Sequence, residues 1–407
     1  MLDKCLPIVA LLVFGLQEPK EPGILTLDSA LRIGLSNNPI VRQASAQHQS
    51  AQANLQAQRA PLNPTIGFAV LGNGFAPLRL QDPANYNISA TVEISGRQKL
   101  RTRQASAQLL QADSDASTTL LSLRQTITTA YIGLQAATVT QAIEEQTYMA
   151  SERFAALTEK QASLGAVPQT NAIRARIALQ QEAQNRKLTE QATRTAQATL
   201  NNALGRSTEH AIEPIEPLLE TLSLPLPTRD ELIERALRRR PEIHSAEATE
   251  SALHEMALLS RSQRIPDLAI GRGFNSGPLQ FGVTLPLDLG SIKGSTSKAE
   301  ADLRAQKALT ESLYQQVRLE VVSAAFAMER ATVQVALYKG QLLSDASDLV
   351  RRTEAGYAAG GSTILEVLDA QNTLRAAQLG YIVALADQHQ ALANLERAVG
   401  GSLNSQE

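Results

Sequence analysis

From Leu120 the apolar residues Leu120, Leu123, Ile127, Ala130, Leu134 and Ala137 recur at steps of three and four, the spacing of one buried helical stripe. Val317, Val321, Ala324, Met328, Ala331 and Val335 do the same later in the chain. Between Gly96 and Gly165 no proline and only one glycine, Gly133, intervenes, which predicts a single helix over most of that span. At 1.5 Å per residue it would be about 100 Å long, and so long a helix needs partners along its whole length. The stretches 168–204 and 363–399 read as antiparallel return helices, with Pro168 well placed to start the first. Elsewhere the period falls to two. In "YNISATVEI", from Tyr86, the residues Tyr86, Ile88, Ala90, Val92 and Ile94 form one face, and Asn87, Ser89, Thr91 and Glu93 the other. "LQFGVTLPLD", from Leu279, alternates likewise. Each is preceded by a partner, "TIGFAVLG" from Thr65 and "DLAIGRGF" from Asp267, so strand hairpins are predicted at 65–95 and 267–288. "NSGP" at 275–278 makes the second turn tight, while the first loop is longer and passes through Pro77 and Pro83.

The two patterns belong to a tandem duplication. "TLDSALRIGLSNNPIVRQA" from Thr26 matches "TRDELIERALRRRPEIHSA" from Thr228 at a constant offset that pairs Thr26 with Thr228, Pro39 with Pro241 and Pro64 with Pro266. A second offset pairs Tyr131 with Phe326, Gly165 with Gly360 and Gly205 with Gly400. Each half, 25–205 and 228–401, therefore reads as helix, strand hairpin, long helix and return helix. Between them the four prolines of "STEHAIEPIEPLLETLSLPLP" forbid a continuous helix and mark a linker at 206–227.

Composition narrows the function. With 3% aromatic residues and no Trp, the chain suits long helices better than an enzyme core. Its 38 Lys plus Arg against 40 Asp plus Glu offer no basic field for a nucleic acid. Cys5 is the single cysteine, and it precedes an apolar run at 6–16 that is too short to span a bilayer but suits a secretory signal peptide, assigned to 1–15. The five histidines form no pair at metal-ligand spacing, so no metal site and no cofactor are expected. "GRGFNSG" from Gly271 resembles a phosphate loop, but the segment after it alternates with period two and opens no helix. No catalytic constellation emerges, and the chain is read as a non-enzyme.

Four amphipathic strands of about nine residues fit a tilted bilayer crossing, yet about eight is the smallest number that closes a barrel, so several subunits would have to contribute. This plan, with "ALRIGLSNNPIVRQA", "GYAAGGSTILEVLDAQNTL" and the closing "ALANLERAVGG", resembles the outer membrane efflux protein (TolC-like) family over nearly the whole chain from Leu25. "VEISGRQKLRTRQA" from Val92 resembles the strand-to-helix passage of its heavy-metal efflux branch, with Ser95 in place of a glycine.

The resemblance implies a mainly α fold with a small membrane β-barrel portion. Three subunits would each give four strands to a 12-stranded barrel in the outer membrane, continued by a periplasmic α-barrel of duplicated helical hairpins. The implied partners are two further copies of the chain, outer membrane lipid, a periplasmic adaptor and an inner membrane transporter of the RND type. The implied pore constriction is Tyr357, Glu366 and Asp369; the two acids share one helix face, and threefold symmetry would gather six carboxylates on the axis, a ring that favours cations. Their first-half equivalents are Asn171 and Arg174, so the acids are not inherited helix surface. Where family members carry an arginine that locks the constriction, this chain has Ser362. The tips, Leu164, Gly165, Ala166 and Gly360, Gly361, Ser362, are expected to meet the adaptor, although the glycines also suit plain helix termination. Protein secretion on the same fold and a soluble periplasmic coiled-coil scaffold remain alternative readings.

Overall fold

The structure, a computed structural model, describes residues 24–60, 65–68, 86–92, 96–211, 215–216, 226–273, 279–284 and 288–403. The leader at 1–15, the loop through Pro77 and Pro83, the 275–278 turn and most of the 206–227 linker lie outside the described residues.

The first half runs α1 (Leu27–Asn37), α2 (Pro39–Arg59), β1 (Thr65–Phe68), β2 (Tyr86–Val92), α3 (Arg97–Ser163) and α4 (Gln169–Ala203). The second runs α5 (Arg229–Arg239), α6 (Pro241–Ser262), β3 (Asp267–Gly273), β4 (Leu279–Thr284), α7 (Leu289–Leu337), a π-helical turn (Tyr338–Leu342), α8 (Leu343–Ala358) and α9 (Ile364–Val399). Local chemistry sets these boundaries. Thr26 and Thr228 each open a helix through a reciprocal capping box, with Ser29 and Glu231. Each short helix then breaks before a proline that starts the next, at Asn38–Pro39 and Arg240–Pro241. The Asn38 side chain accepts from the Ile40 N–H and donates to the Ala203 carbonyl, which ties this corner to the end of α4.

All 67 residues of α3 form one uninterrupted helix, as its spacing predicts. Its second-half counterpart is interrupted by the π turn, where the Tyr338 ring lies against Gly380 of α9; a Cβ there would come within 2.4 Å of Tyr338 Oη.

The strands form one antiparallel sheet in the order β1-β2-β3-β4. The β2–β3 pairing, with Ile88 opposite Arg272, Ala90 opposite Ile270 and Val92 opposite Leu268, joins the two halves. Along each pairing apolar positions mostly oppose apolar positions, as in Ile66 with Ile88 and Ile270 with Phe281. Phe281 and Val283 are 67% and 61% exposed, so β4 turns an apolar face outward. The helices keep the sheet's order. Below the strands α2, α3, α6 and α7 lie side by side, and farther down the order is α4, α3, α9 and then α7 with α8. The chain is thus four elements wide along its length, with β1, α2 and α4 on one edge and β4, α7 and α8 on the other.

Two cores repeat the duplication. In the first half Ala30, Val41, Leu200, Ala203 and Leu204 close on Leu123, Ile127 and Leu134. In the second, their equivalents Leu232, Ile243, Leu395, Ala398 and Val399 close on Val317, Val321 and Met328. Burying these stripes against partner helices is what makes helices of this length stable.

Candidate functional site: the paired helical tips

The residues singled out in sequence gather at the end of the chain opposite the sheet, where α3 turns into α4 and α8 into α9. Both turns are Schellman closures. Gly165 has φ +76° and Gly360 φ +80°, a conformation that suits glycine. The next N–H groups reach back, Ala166 to the Gln161 carbonyl at 2.9 Å and Gly361 to the Gly356 carbonyl at 2.8 Å. Leu164 is 75% exposed at the first tip, and Gly165, Ala166, Gly360 and Gly361 are exposed as well. Ser362 is half-buried and packs on Gly356, where a Cβ would lie 2.3 Å from its Oγ. Pro168 stands one position before the first helical residue and serves as the N-cap of α4.

Glu366 and Asp369 lie in the first two turns of α9, and both are exposed. Glu366 has a local job that the sequence pattern of acids did not suggest. Its N–H donates to Thr363 Oγ1 at 3.3 Å, and its Oε2 accepts from the Thr363 N–H at 2.9 Å, so it closes the capping box that starts α9. Tyr357 sits apart from the acids. It is 8% exposed, tilted 54° against Phe154 with ring centroids 5.5 Å apart, and buried with Ala175, Ile364 and Val367. Its hydroxyl has no hydrogen-bond partner among the described residues. The ring is therefore inside the chain, not on the face that carries the two carboxylates. Asn171 is half-buried and Arg174 exposed at the equivalent positions of α4.

Two turns above the acids lies a charge cluster that sequence reasoning missed. The Arg375 guanidinium of α9 donates to both oxygens of Glu144 on α3, Nε at 3.0 Å to each and Nη2 at 2.7 Å to Oε1. Glu182 of α4 stands 3.6 Å from Arg375 Nε and accepts from Asn185 Nδ2 at 3.1 Å. The Glu144 side chain is 2% exposed. Its hydrogen bonds, together with the charges of Glu144 and Glu182 and against the opposing effect of burial, hold the Arg375 guanidinium above its ordinary pKa. The duplication carried a signal for this cluster: the equivalent positions hold Lys339, Ala377 and Gln180.

Among the described residues no group of acids, histidines and cysteines is arranged to hold a metal ion, and no helix is long and apolar enough to cross a membrane.

Comparison with known proteins agrees with this architecture. The family model described as "Outer membrane efflux protein" matches residues 31–206 and 232–401. The pyoverdine export outer membrane protein OpmQ of Pseudomonas aeruginosa is 25% identical over 416 residues, covering 95% of this chain and 87% of that protein. The outer membrane protein OprJ of the same species is 25% identical, over 92% of this chain and 85% of its own length. The cobalt-zinc-cadmium resistance protein CzcC of Cupriavidus metallidurans is 27% identical over 188 residues, 44% of each chain. Among solved structures, the Campylobacter jejuni CmeC outer membrane channel superposes with a TM-score of 0.80 at 15% identity, covering 94% of this chain and 87% of that one. CusC gives 0.79 at 19% identity, over 95% and 99%. The match to the family model spans most of both halves, and the chain belongs to the outer membrane efflux protein family.

Proposed function

We propose that this protein is the outer membrane channel of a tripartite efflux system, conducting substrate passively from a periplasmic adaptor and an inner membrane pump to the exterior. The observation that carries the reading is the four-wide order of elements, kept from sheet to tips, with two open edges. Four strands cannot close a barrel, whereas three copies joined edge to edge supply twelve, above the minimum of about eight. The edges suit such joining: on α7 Leu319, Val333 and Leu337 are 66%, 70% and 66% exposed, and on α4 Ile177 and Leu188 are 52% and 59% exposed. An edge meeting a different edge is a heterologous contact, which closes into a ring when the rotation permits. A soluble scaffold would account for the helices but not for a sheet that exposes Phe281 and Val283.

In the trimer the tips form the periplasmic end, with Leu164 to Ala166 and Gly360 to Ser362 facing the adaptor. Glu366 and Asp369 form a ring of six carboxylates at the constriction, and such a ring favours cations. Tyr357 supports that constriction from within the hairpin. Conduction through such a duct needs no catalytic group. The relatives are named for pyoverdine export, antibiotic efflux, toluene efflux and cobalt-zinc-cadmium resistance at closely similar identities, which fits a duct whose cargo is chosen upstream.

The test is to recover the protein from outer membranes, determine its subunit number in detergent, and record single-channel currents with divalent cations on the tip side. A trimer whose cation preference and divalent block fall in Glu366→Gln/Asp369→Asn supports both duct and acid ring. Unchanged currents in that variant would remove the ring and keep the duct; recovery as a detergent-free monomer would overturn the duct.

A further inference from the structure

The cluster of Glu144, Glu182 and Arg375 is expensive where it stands. Setting two carboxylates that are almost fully covered and a guanidinium that is 25% exposed between helices forfeits hydration that an apolar trio would not lose, so such a group is a poor source of stability and a good source of a fixed geometry. It also breaks the repeat, because the same places in the other half hold Lys339, Ala377 and Gln180. What it joins is specific. Arg375 leaves α9, the helix that carries Glu366 and Asp369, and reaches Glu144 on α3 and Glu182 on α4, the two helices of the other hairpin. Arg375 stands six positions after Asp369, about 9 Å along a helix, so a tie at Arg375 sets where the start of α9 stands relative to the first hairpin. The fork adds direction as well as force, since a guanidinium bound to both oxygens of one carboxylate resists rotation as well as separation.

We propose that Arg375 is a positioning residue for the acid pair: anchored to Glu144 and Glu182, it holds the start of α9 so that Glu366 and Asp369 keep their place at the constriction. This rests on the duct reading above. The neighbouring acid and cation of the same hairpin are engaged with each other. Glu145 on α3 is bound to Arg186 of α4 at 2.6 Å, and the Arg186 guanidinium lies over the Tyr148 ring at 5.0 Å.

The experiment is a cycle on the purified trimer in planar bilayers, comparing wild type, Arg375→Met, Glu366→Gln/Asp369→Asn, and all three substitutions together, with cation-over-anion preference as the readout. The expected result is loss of cation preference in Arg375→Met and no further change when Arg375→Met is added to the neutral pair. The exchanged pair Glu144→Arg/Arg375→Glu should recover part of the preference. Arg375→Lys, which keeps the charge without the fork, should fall between wild type and Arg375→Met, and it serves if Arg375→Met fails to assemble. Preference unchanged in Arg375→Met, or changed equally with and without the acids, overturns the proposal, because the residue then acts as packing or on the duct at large. If Glu366→Gln/Asp369→Asn alone has no effect, the positioning role falls while the duct stands. Only a wild type that yields no trimer and no current removes both.

Discussion

Replacing Gly205 by alanine should be among the most damaging small substitutions in this chain. Gly205 comes after the last turn of α4 at φ +71°, its N–H bonded to the Asn202 carbonyl while the Arg206 N–H reaches the Asn201 carbonyl. A side chain there meets two penalties. Left-handed backbone costs a non-glycine residue about 1–2 kcal/mol. The new Cβ would also lie 2.8 Å from Asn38 Cα and 3.1 Å from the Asn37 carbonyl oxygen, backbone atoms of the α1–α2 corner. That corner cannot easily retreat, because Asn38 Nδ2 is bonded to the Ala203 carbonyl at 2.9 Å. Overpacking of this kind costs about 1–3 kcal/mol, so the two together come to about 2–5 kcal/mol. Gly165 supplies the control. Its φ is +76° but nothing lies within 4 Å of a Cβ, so Gly165→Ala should lose only the backbone share. Gly133, inside α3 with the same open surroundings, should gain roughly 1 kcal/mol as alanine. Far-ultraviolet circular dichroism of the detergent-solubilised variants during thermal and denaturant unfolding ranks them. Equal losses at Gly165 and Gly205 would refute the claim that close approach of the corner is what requires glycine at 205.

Other positions give separate tests. Burial, then the charge and hydrogen bond of Glu216, push the Tyr131 hydroxyl up to about 12, above its unfolded value near 10; the stability this gives is full below pH 10 and lost as pH rises toward 12. Two units correspond to about 2–3 kcal/mol, so the unfolding midpoint should drop across that window, and Tyr131→Phe should flatten the alkaline drop. The same variant loses the 2.9 Å bond to the Leu25 carbonyl, about 1 kcal/mol at neutral pH. Thr363→Ala should cost about 1 kcal/mol, read as faster amide exchange confined to the start of α9. If three copies join edge to edge as proposed, Val333→Asp with Leu337→Asp should shift the detergent-solubilised protein from trimer toward monomer in size-exclusion chromatography with light scattering, while the helical content of each chain is kept.

Much of the architecture was legible because its signals are periodic and doubled. The stripe through Leu123, Ile127 and Leu134 announces a helix, and the pairing of Leu200 with Leu395 announces a second core like the first. The period-two faces announce strands, but not their neighbours, since nothing in "YNISATV" names "DLAIGRG" as a partner from the other half. That pairing is a product of chain path. The π turn escaped for a different reason: the one mark in "YKGQL" is Gly340, where the first half has Glu145, and a single glycine does not distinguish a π turn from a continuous helix, while the packing of Tyr338 on Gly380 is visible only in the fold.

At the tips, what could be read was residue type, and what could not was which neighbour each residue meets. Tyr357 and Glu366 lie on the same short stretch, yet one is buried against Phe154 and the other caps its own helix. The cap was in fact written in the sequence, since Thr363 and Glu366 have the spacing of a capping box. Reading Glu366 as a pore acid and as a cap are not rival accounts. A capping carboxylate is held by the backbone it caps, so its charge stands at a defined place at the start of α9. Glutamine can make the same reciprocal bonds without the charge, so Glu366→Gln leaves the cap in place and isolates the electrostatic part of its role.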